Sequence, residues 1–266
     1  MKNVIDVRVN SKESIYFLIK IIASLVVYTY LGFLVWYALN YDDQRLAYFT
    51  VFLVYSAFIL IYLFFRLALF IGYIKGNSIK ITPEQFPDIY TIVQEQAERL
   101  QMRRVPTVYI MQSGGLLNAF ATQFMGTNFI VLYSEIVESA YESNPKMLEF
   151  IIGHELGHLK RKHLLKNMLL LPAIIVPFLA AAYSRACEYT CDNIGADLCP
   201  EGAIDGLLLL ASGRGLYKKI NIKEYIKQHD SDESFWKWLS EKVSTHPNLT
   251  NRIEKIDYNL FQSSLK

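Results

Sequence analysis

Hydrophobic and polar positions are spread unevenly along the chain. Residues 21–39 and 46–65 form runs of 19 and 20 positions without an Asp, Glu, Lys or Arg. As helices rising about 1.5 Å per residue, each run is long enough to cross a hydrocarbon core roughly 30 Å thick. The first run extends backwards through Ile15, Tyr16, Phe17, Leu18 and Ile19, with Lys20 able to snorkel, and it lacks a small-residue cleavage site. It therefore reads as a retained span. Between the runs, the polar residues 40–45 leave room only for a tight helical hairpin. The pattern predicts a membrane anchor over 1–75, with transmembrane helices at about 15–39 and 46–70, followed by a second domain over 76–266. Two buried core helices of a soluble protein are the weaker reading, because charge-free runs of this length are uncommon outside membranes.

Beyond Gly76 the periodicity becomes that of a globular domain. Thr82-Pro83-Glu84 predicts a helix that runs through Leu100, and 107–111 reads as a short strand. Residues 118–122 and 128–133 are strand-like, and the connection containing Gly126 suits a hairpin. Asn144-Pro145 offers an N-cap and an N1 proline for the next helix. The fold class expected is mainly α with a small β-sheet: a two-helix transmembrane hairpin plus an α+β domain.

Composition sharpens this picture in three places. The hydrophobic share of 52% slightly exceeds the roughly 45–50% usual for a soluble domain. Twenty-seven basic against 25 acidic residues leave a net charge of +2, so nothing advertises a nucleic-acid partner. Lys2, Arg8, Lys12 and Lys20 precede the apolar hairpin and Lys75 and Lys80 follow it, while its loop holds only Arg45. By the positive-inside bias, both termini and the second domain lie in the cytoplasm. The three cysteines, Cys187, Cys191 and Cys199, are an odd number close together, which is no disulfide framework.

The chemistry sits at His154-Glu155-Leu156-Gly157-His158. On a helix, residues four apart share a face, so both imidazoles can reach one metal with Glu155 beside them. The pattern suits zinc, which in a catalytic site takes a third protein ligand and leaves one position open. Downstream, Glu188 and Asp192 are carboxylates four apart, one for the metal and one to orient a histidine. His163 follows Lys160-Arg161-Lys162 and stands five residues after His158, so it reads as part of a solvated charge run.

Asn118-Ala119-Phe120, HELGH, Arg185-Ala186-Cys187-Glu188 with Asp192, and His246-Pro247 through Arg252 occur in an order that resembles the HtpX-type and CAAX-prenyl-protease superfamily of membrane zinc metallopeptidases. The resemblance covers Pro83 to about Ile256 and implies a zincin-type domain with one zinc per chain. It makes His154, His158 and Glu188 the metal ligands, Glu155 the general base and Asp192 the support of a ligand histidine. His246 and Arg252 would stand near the reaction centre, with His246 steadying an oxyanion. Asn118, Ala119 and Phe120 would be an edge strand that pairs with substrate backbone. The partners implied are protein or peptide substrates and the lipid bilayer of a bacterial inner or plasma membrane; oligomeric state stays open. The function implied is a membrane-anchored zinc endopeptidase acting on unfolded or membrane-proximal segments in quality control. A CAAX-type prenyl-peptide protease or a non-catalytic scaffold are the alternatives. Intramembrane proteolysis is disfavoured by the charges that directly follow the HELGH motif.

One departure concerns the stretch between His158 and Glu188. HtpX-type members carry two membrane helices there, whereas here only 29 residues intervene. A single crossing would separate two ligands of one ion by about 30 Å. Residues 167–184 are therefore predicted to form a bent hairpin that reverses near Pro172 and Pro177. Its tip, which includes Leu169, Leu170, Leu171, Ile174, Ile175, Val176 and Phe178, would rest on the membrane or be buried in the domain.

Overall fold

A computed structural model describes residues 4–41, 43–231 and 234–264. The two apolar runs form α1 (Ser11–Tyr41) and α2 (Asp43–Asn77). Only 11% of the apolar window of each is buried, the reverse of a core helix, so both are exposed helices long enough to cross a membrane. Then come β1 (Ile79–Lys80), α3 (Pro87–Arg99), β2 (Thr107–Met111), β3 (Ala119–Phe124) and β4 (Thr127–Tyr133). The strands make one mixed sheet in the order β1-β2-β4-β3, with β2 parallel to β4 and the outer pairs antiparallel.

The predicted hairpin is present, and its two-residue turn has Met125 at φ 47° and Gly126 at φ 77°. Positive φ at both central positions matches the right-handed twist of the flanking strands. The predicted helix from Thr82 starts instead at Pro87. Residues 82–85 close a turn through paired bonds between Thr82 and Gln85, and Phe86 sits at φ 61° before Pro87 at the first helical turn. A residue ahead of proline is disfavoured in the α region, so the helix cannot begin earlier through Phe86.

The helical layer continues with α4 (Ser134–Glu142), α5 (Pro145–Arg161), α6 (His163–Leu169), a 3₁₀ turn (Leu171–Ile175) and α7 (Leu179–Leu198). Then follow α8 (Ala203–Ser212), α9 (Ile222–Ser231), α10 (Phe235–Val243) and α11 (Leu249–Ser264). Asn144 caps α5 as its sequence suggests, accepting from the Lys146 N–H at 3.0 Å. The predicted reversal between His158 and Glu188 is real. Its outgoing arm is short, because α5 stops at Lys162, and Phe178 at φ 61° starts the return. The tip is not core: Leu171, Ile174 and Ile175 are 62–66% exposed.

The sheet divides two apolar clusters. One face carries Val108, Ile110, Ile130 and Leu132 against α3, α4 and α5. The other carries Tyr109, Met111, Phe129 and Val131 against Ile71 and Ile74, so the last turns of α2 are a packing platform for the sheet. The start of the chain packs on the same body: the Ile5 N–H donates to Arg99 O, Arg8 pairs with Asp197, and Asn10 N donates to Thr190 Oγ1. Ile256 and Ile253 of α11 close the main core.

Helices α5 and α7 approach unusually closely. A Cβ on Gly195 would lie 2.9 Å from both the ring and the carbonyl oxygen of Phe150. That backbone oxygen cannot move aside as a flexible side chain would. Gly195→Ala should therefore destabilise the domain by about 1–3 kcal/mol through overpacking. Gly72 meets nothing within 4 Å, so Gly72→Ala should be neutral or slightly stabilising by helix propensity. Thermal unfolding in detergent should show a lower Tm for the first variant only; equal melting temperatures would mean that the helices separate without cost.

Candidate active site

Helix α5 turns His154 and His158 towards α7, which presents Glu188 between them. The His154 and His158 Nε2 atoms are 3.2 Å apart. Glu188 reaches both, with Oε2 at 3.4 Å from His154 Nε2 and Oε1 at 3.3 Å from His158 Nε2. Ligands held at about 2.0–2.1 Å around a tetrahedral ion stand about 3.3 Å from one another. The two imidazole nitrogens have that separation, and each faces a different oxygen of the one Glu188 carboxylate at a similar distance, so three residues converge on a space of the size such an ion requires. Cys191 also approaches both histidines within 4.8 Å. Burial pushes its thiol well above the usual range, and its Sγ lies 3.7 Å from His163 Nδ1, so Glu188 is the better third ligand.

The far nitrogen of His154 is held as well. Its Nδ1 meets Asp192 Oδ1 at 2.9 Å. Arg252, reaching in from α11, donates to Asp192 through Nε at 2.8 Å and Nη2 at 2.6 Å, and its Nη1 lies 3.6 Å from Glu188 Oε2. Burial opposes charge on His154, but hydrogen bonds with Asp192 and Glu188 outweigh it and lift the imidazole to about 10. Burial likewise opposes charge on Glu188, yet its two histidine contacts hold the carboxyl well below the usual range. Asp192 is also lowered, with burial overcome by the Arg252 guanidinium. Two buried carboxylates facing two imidazoles offer the field and the donor set that a divalent cation needs.

His158 has a partner that the sequence did not indicate. Its Nδ1 stands 3.1 Å from His163 Nδ1, and His163 Nε2 is 3.3 Å from Glu13 Oε1. Glu13 also accepts from Arg161 Nε at 3.2 Å and Nη2 at 2.9 Å. His163 is 3% exposed, so the reading of it as a solvated residue is overturned. The physical reason is Lys162 at φ 55°, whose N–H closes onto the carbonyls of His158 and Leu159. This left-handed cap redirects the chain and folds the next residue back over the ligand face. Burial, the largest effect, holds His163 below its ordinary value in spite of Glu13. A consistent tautomer set has His158 Nδ1–H donating to His163 and His163 Nε2–H donating to Glu13, which leaves His158 Nε2 a free lone pair.

His154, His158, His163, Glu188 and Arg252 line a cleft of about 350 Å³ that also takes in Glu155, His246 and the strand residues Asn118 to Ala121. His246 is largely exposed, with Nε2 at 3.7 Å from Glu188 Oε1. Phe120 lines the cleft and also stacks on Phe70 of α2 at 5.9 Å. Strand β3 is one of the two outer strands of the sheet. Tyr133 N donates to Asn118 O at 3.1 Å, and Phe124 pairs with Thr127 at the turn. In an antiparallel ladder bonded and unbonded residues alternate, so Ala119 and Ala121 turn their backbone N–H and C=O to the free edge. The Ala119 N–H is covered by Asn118 Oδ1 at 3.0 Å. Of the residues that the sequence nominated, all but Asp192 line this cleft; Asp192 stands behind His154, and His163, with Glu13 behind it, is added.

The Peptidase family M48 model matches residues 83–176 and 168–260. The chain is 27% identical over 172 residues to the plastoglobule-localized metallopeptidase 48 of Arabidopsis thaliana, covering 58% of this chain and 48% of that one. It thus spans about half the length of that relative. It is 26% identical over 230 residues to a protease HtpX homolog of Streptococcus uberis, covering 66% of this chain and 75% of that protein. The crystal structure of S. mikatae Ste24p superposes with a TM-score of 0.50 over 93% of this chain and 67% of the other, at 16% identity, a likeness of fold. With about two thirds of its length matched by the family model, this chain belongs to peptidase family M48.

Proposed function

We propose that the chain is a membrane-anchored zinc endopeptidase of zincin type, with the anchor over 1–75 and the peptidase domain over 76–266. The observation that carries this reading is the triangle of His154, His158 and Glu188, at 3.2–3.4 Å, beside Glu155 in a cleft bordered by a free strand edge. His154, His158 and Glu188 would hold one zinc, which supplies Lewis acidity when bound. Glu155 takes the proton of the attacking water and returns it to the leaving amine. His246, at the cleft mouth, donates to the oxygen that gains charge. Asp192, held by Arg252, fixes the ring of His154, and His163 does the same for His158.

A backbone edge recognises extended chain in general and leaves side-chain pockets to set preference. That favours unfolded or membrane-proximal protein segments as substrates and a place in membrane-protein quality control. A closed chamber of the CAAX-type protease is not supported, since two helices among the described residues are apolar enough to cross a membrane. A non-catalytic scaffold is disfavoured by the intact donor triangle. With basic residues flanking the apolar hairpin on its terminal side, both termini and the cleft face the cytoplasm of a bacterial inner or plasma membrane.

The assigned roles predict a specific pattern of metal and turnover. The purified full chain should carry about one zinc and digest an unfolded protein, with chelation abolishing both. Glu155→Gln should keep the metal and lose turnover by about 10²–10⁴-fold, whereas Glu188→Gln should lose metal. His163→Ala should weaken metal affinity by about 10–100-fold, read by chelator competition without any substrate. Metal loss in Glu155→Gln as complete as in Glu188→Gln would remove the base assignment.

Strand edge and orientation are separately testable. The Ala121 N–H faces outward, so Ala121→Pro should raise KM while leaving the ladder and the melting temperature intact. Unchanged kinetics would place substrate elsewhere. A reporter fused after Lys266 and active only in the cytoplasm should be active, and a silent one in a folded fusion would reverse the orientation.

A further inference from the structure

Two apolar loop tips flank the cleft, and each rests on one of the membrane-length helices. The first is the turn between α6 and α7. Its Met168, Leu169, Leu171, Ile174, Ile175 and Phe178 are all exposed. An apolar patch of this kind in water is costly unless something covers it. The turn lies against α1, whose Tyr28 hydroxyl donates to Leu169 O at 3.0 Å. Tyr28 is within the charge-free run 21–39, eight residues beyond Lys20, or about 12 Å further along the helix. Lys20 itself is buried at the base of the turn, where its Nζ donates to Asn167 Oδ1 at 2.7 Å. A level with a charged side chain at Lys20 and Asn167 thus gives way to an uncharged level at Tyr28 and Leu169, where the one polar side-chain group is satisfied by a backbone carbonyl.

The second tip is the β3–β4 turn. Phe124 packs on Phe64 of α2 at 5.7 Å, at the end of the other charge-free run, while Phe120 packs higher, on Phe70. The side chain of Met125, just beyond Phe124, is 80% exposed. A groove of about 170 Å³ runs beside the first tip, lined by Leu170, Leu171, Ile174, Ala180 and Ala181 on its apolar side and by Lys20, Asn167, Ser184 and Thr245 on its polar side.

We propose that both tips are seated in the bilayer leaflet next to the peptidase domain, with acyl chains covering the 168–178 turn and its groove and Met125 touching the same leaflet. The occupant is lipid because each tip continues the apolar surface of a helix of membrane length at the level where that surface begins. The cleft between the tips then stands at a fixed height, with the free edge of β3 leading from the membrane level at Phe124 towards His154. Three residues of strand separate Phe124 from Ala121, a distance of about 10 Å.

The three native cysteines are buried, so an introduced surface cysteine can be labelled alone. The full chain would be labelled with an environment-sensitive fluorophore at Ile175→Cys, Met125→Cys or Glu142→Cys. It would then be reconstituted in phosphatidylcholine and phosphatidylglycerol vesicles. Glu142 ends α4, beside the start of α5 and a helix length from Arg161. Labels at 175 and 125 should lose most of their emission to lipids brominated along the chain and little to aqueous iodide, and 142 should show the reverse. Iodide quenching at 175 equal to that at 142 would overturn the proposal. So would a label at 175 protected from both quenchers, the result expected if a second copy covers the tip. The readout needs no turnover, so lipid contact in a chain without peptidase activity would remove the functional reading and leave this one standing.

Discussion

The site depends on how closely α5 can lie against α7. The donors come from two helices, and they converge to 3.2–3.4 Å only if the backbones nearly touch. Glycines make that possible. Gly153 faces Gly195 Cα at 3.1 Å and Gly157 faces Cys191 Cα at 3.3 Å, measured from where a Cβ would be. They are four residues apart, hence on one face of α5, and each precedes one of the two cleft histidines, His154 and His158, by one residue. The Gly in HELGH is thus a packing residue for α7, and its neighbours are aimed by the crossing it permits.

Close packing brings charge into a dry interior, which is unfavourable unless every charge has a partner. Two buried chains of contacts meet this demand from opposite sides. Arg252 pairs with Asp192, which holds His154, and Arg161 pairs with Glu13, which holds His163 and through it His158. The supporting groups come from α11, close to the end of the chain, and from the first turn of α1, close to its beginning. Breaking a buried pair of this sort typically costs about 3–5 kcal/mol, because the remaining charge is stranded. The placing of His154 and His158 and the docking of α11 and of the first turn of α1 are therefore coupled through Asp192 and Glu13.

This explains what the sequence made legible. The motif HELGH, the carboxylates Glu188 and Asp192, strands β2 to β4, the two-residue hairpin at Gly126 and the reversal before α7 all have local or fixed-spacing signatures, whereas the two-residue β1 has none. His163 does not: its burial follows from a left-handed cap at Lys162, a conformation that lysine rarely adopts and that its position among charged residues disguises. Glu13 was equally hidden, since its contact with His163 spans 150 residues and no spacing rule reaches that far. Lys20 read as a snorkelling residue, whereas the fold buries it and satisfies it with Asn167 and the face of Tyr183 at 4.7 Å. In each case a polar residue at the margin of an apolar run was claimed by tertiary contacts.

The same contacts make the apolar hairpin part of the body that carries the cleft. Residues up to Lys20 pack under the site, and the last turns of α2 form one wall of the sheet. No flexible linker separates the two, because α2 runs without interruption to Asn77 and β1 begins two residues later at Ile79. A domain on a loose tether samples all orientations and heights above a membrane, but one built on two rigid helix ends samples very few. If α1 and α2 span the bilayer as proposed, they would do what additional membrane helices would otherwise do and hold the cleft at one distance from the membrane surface.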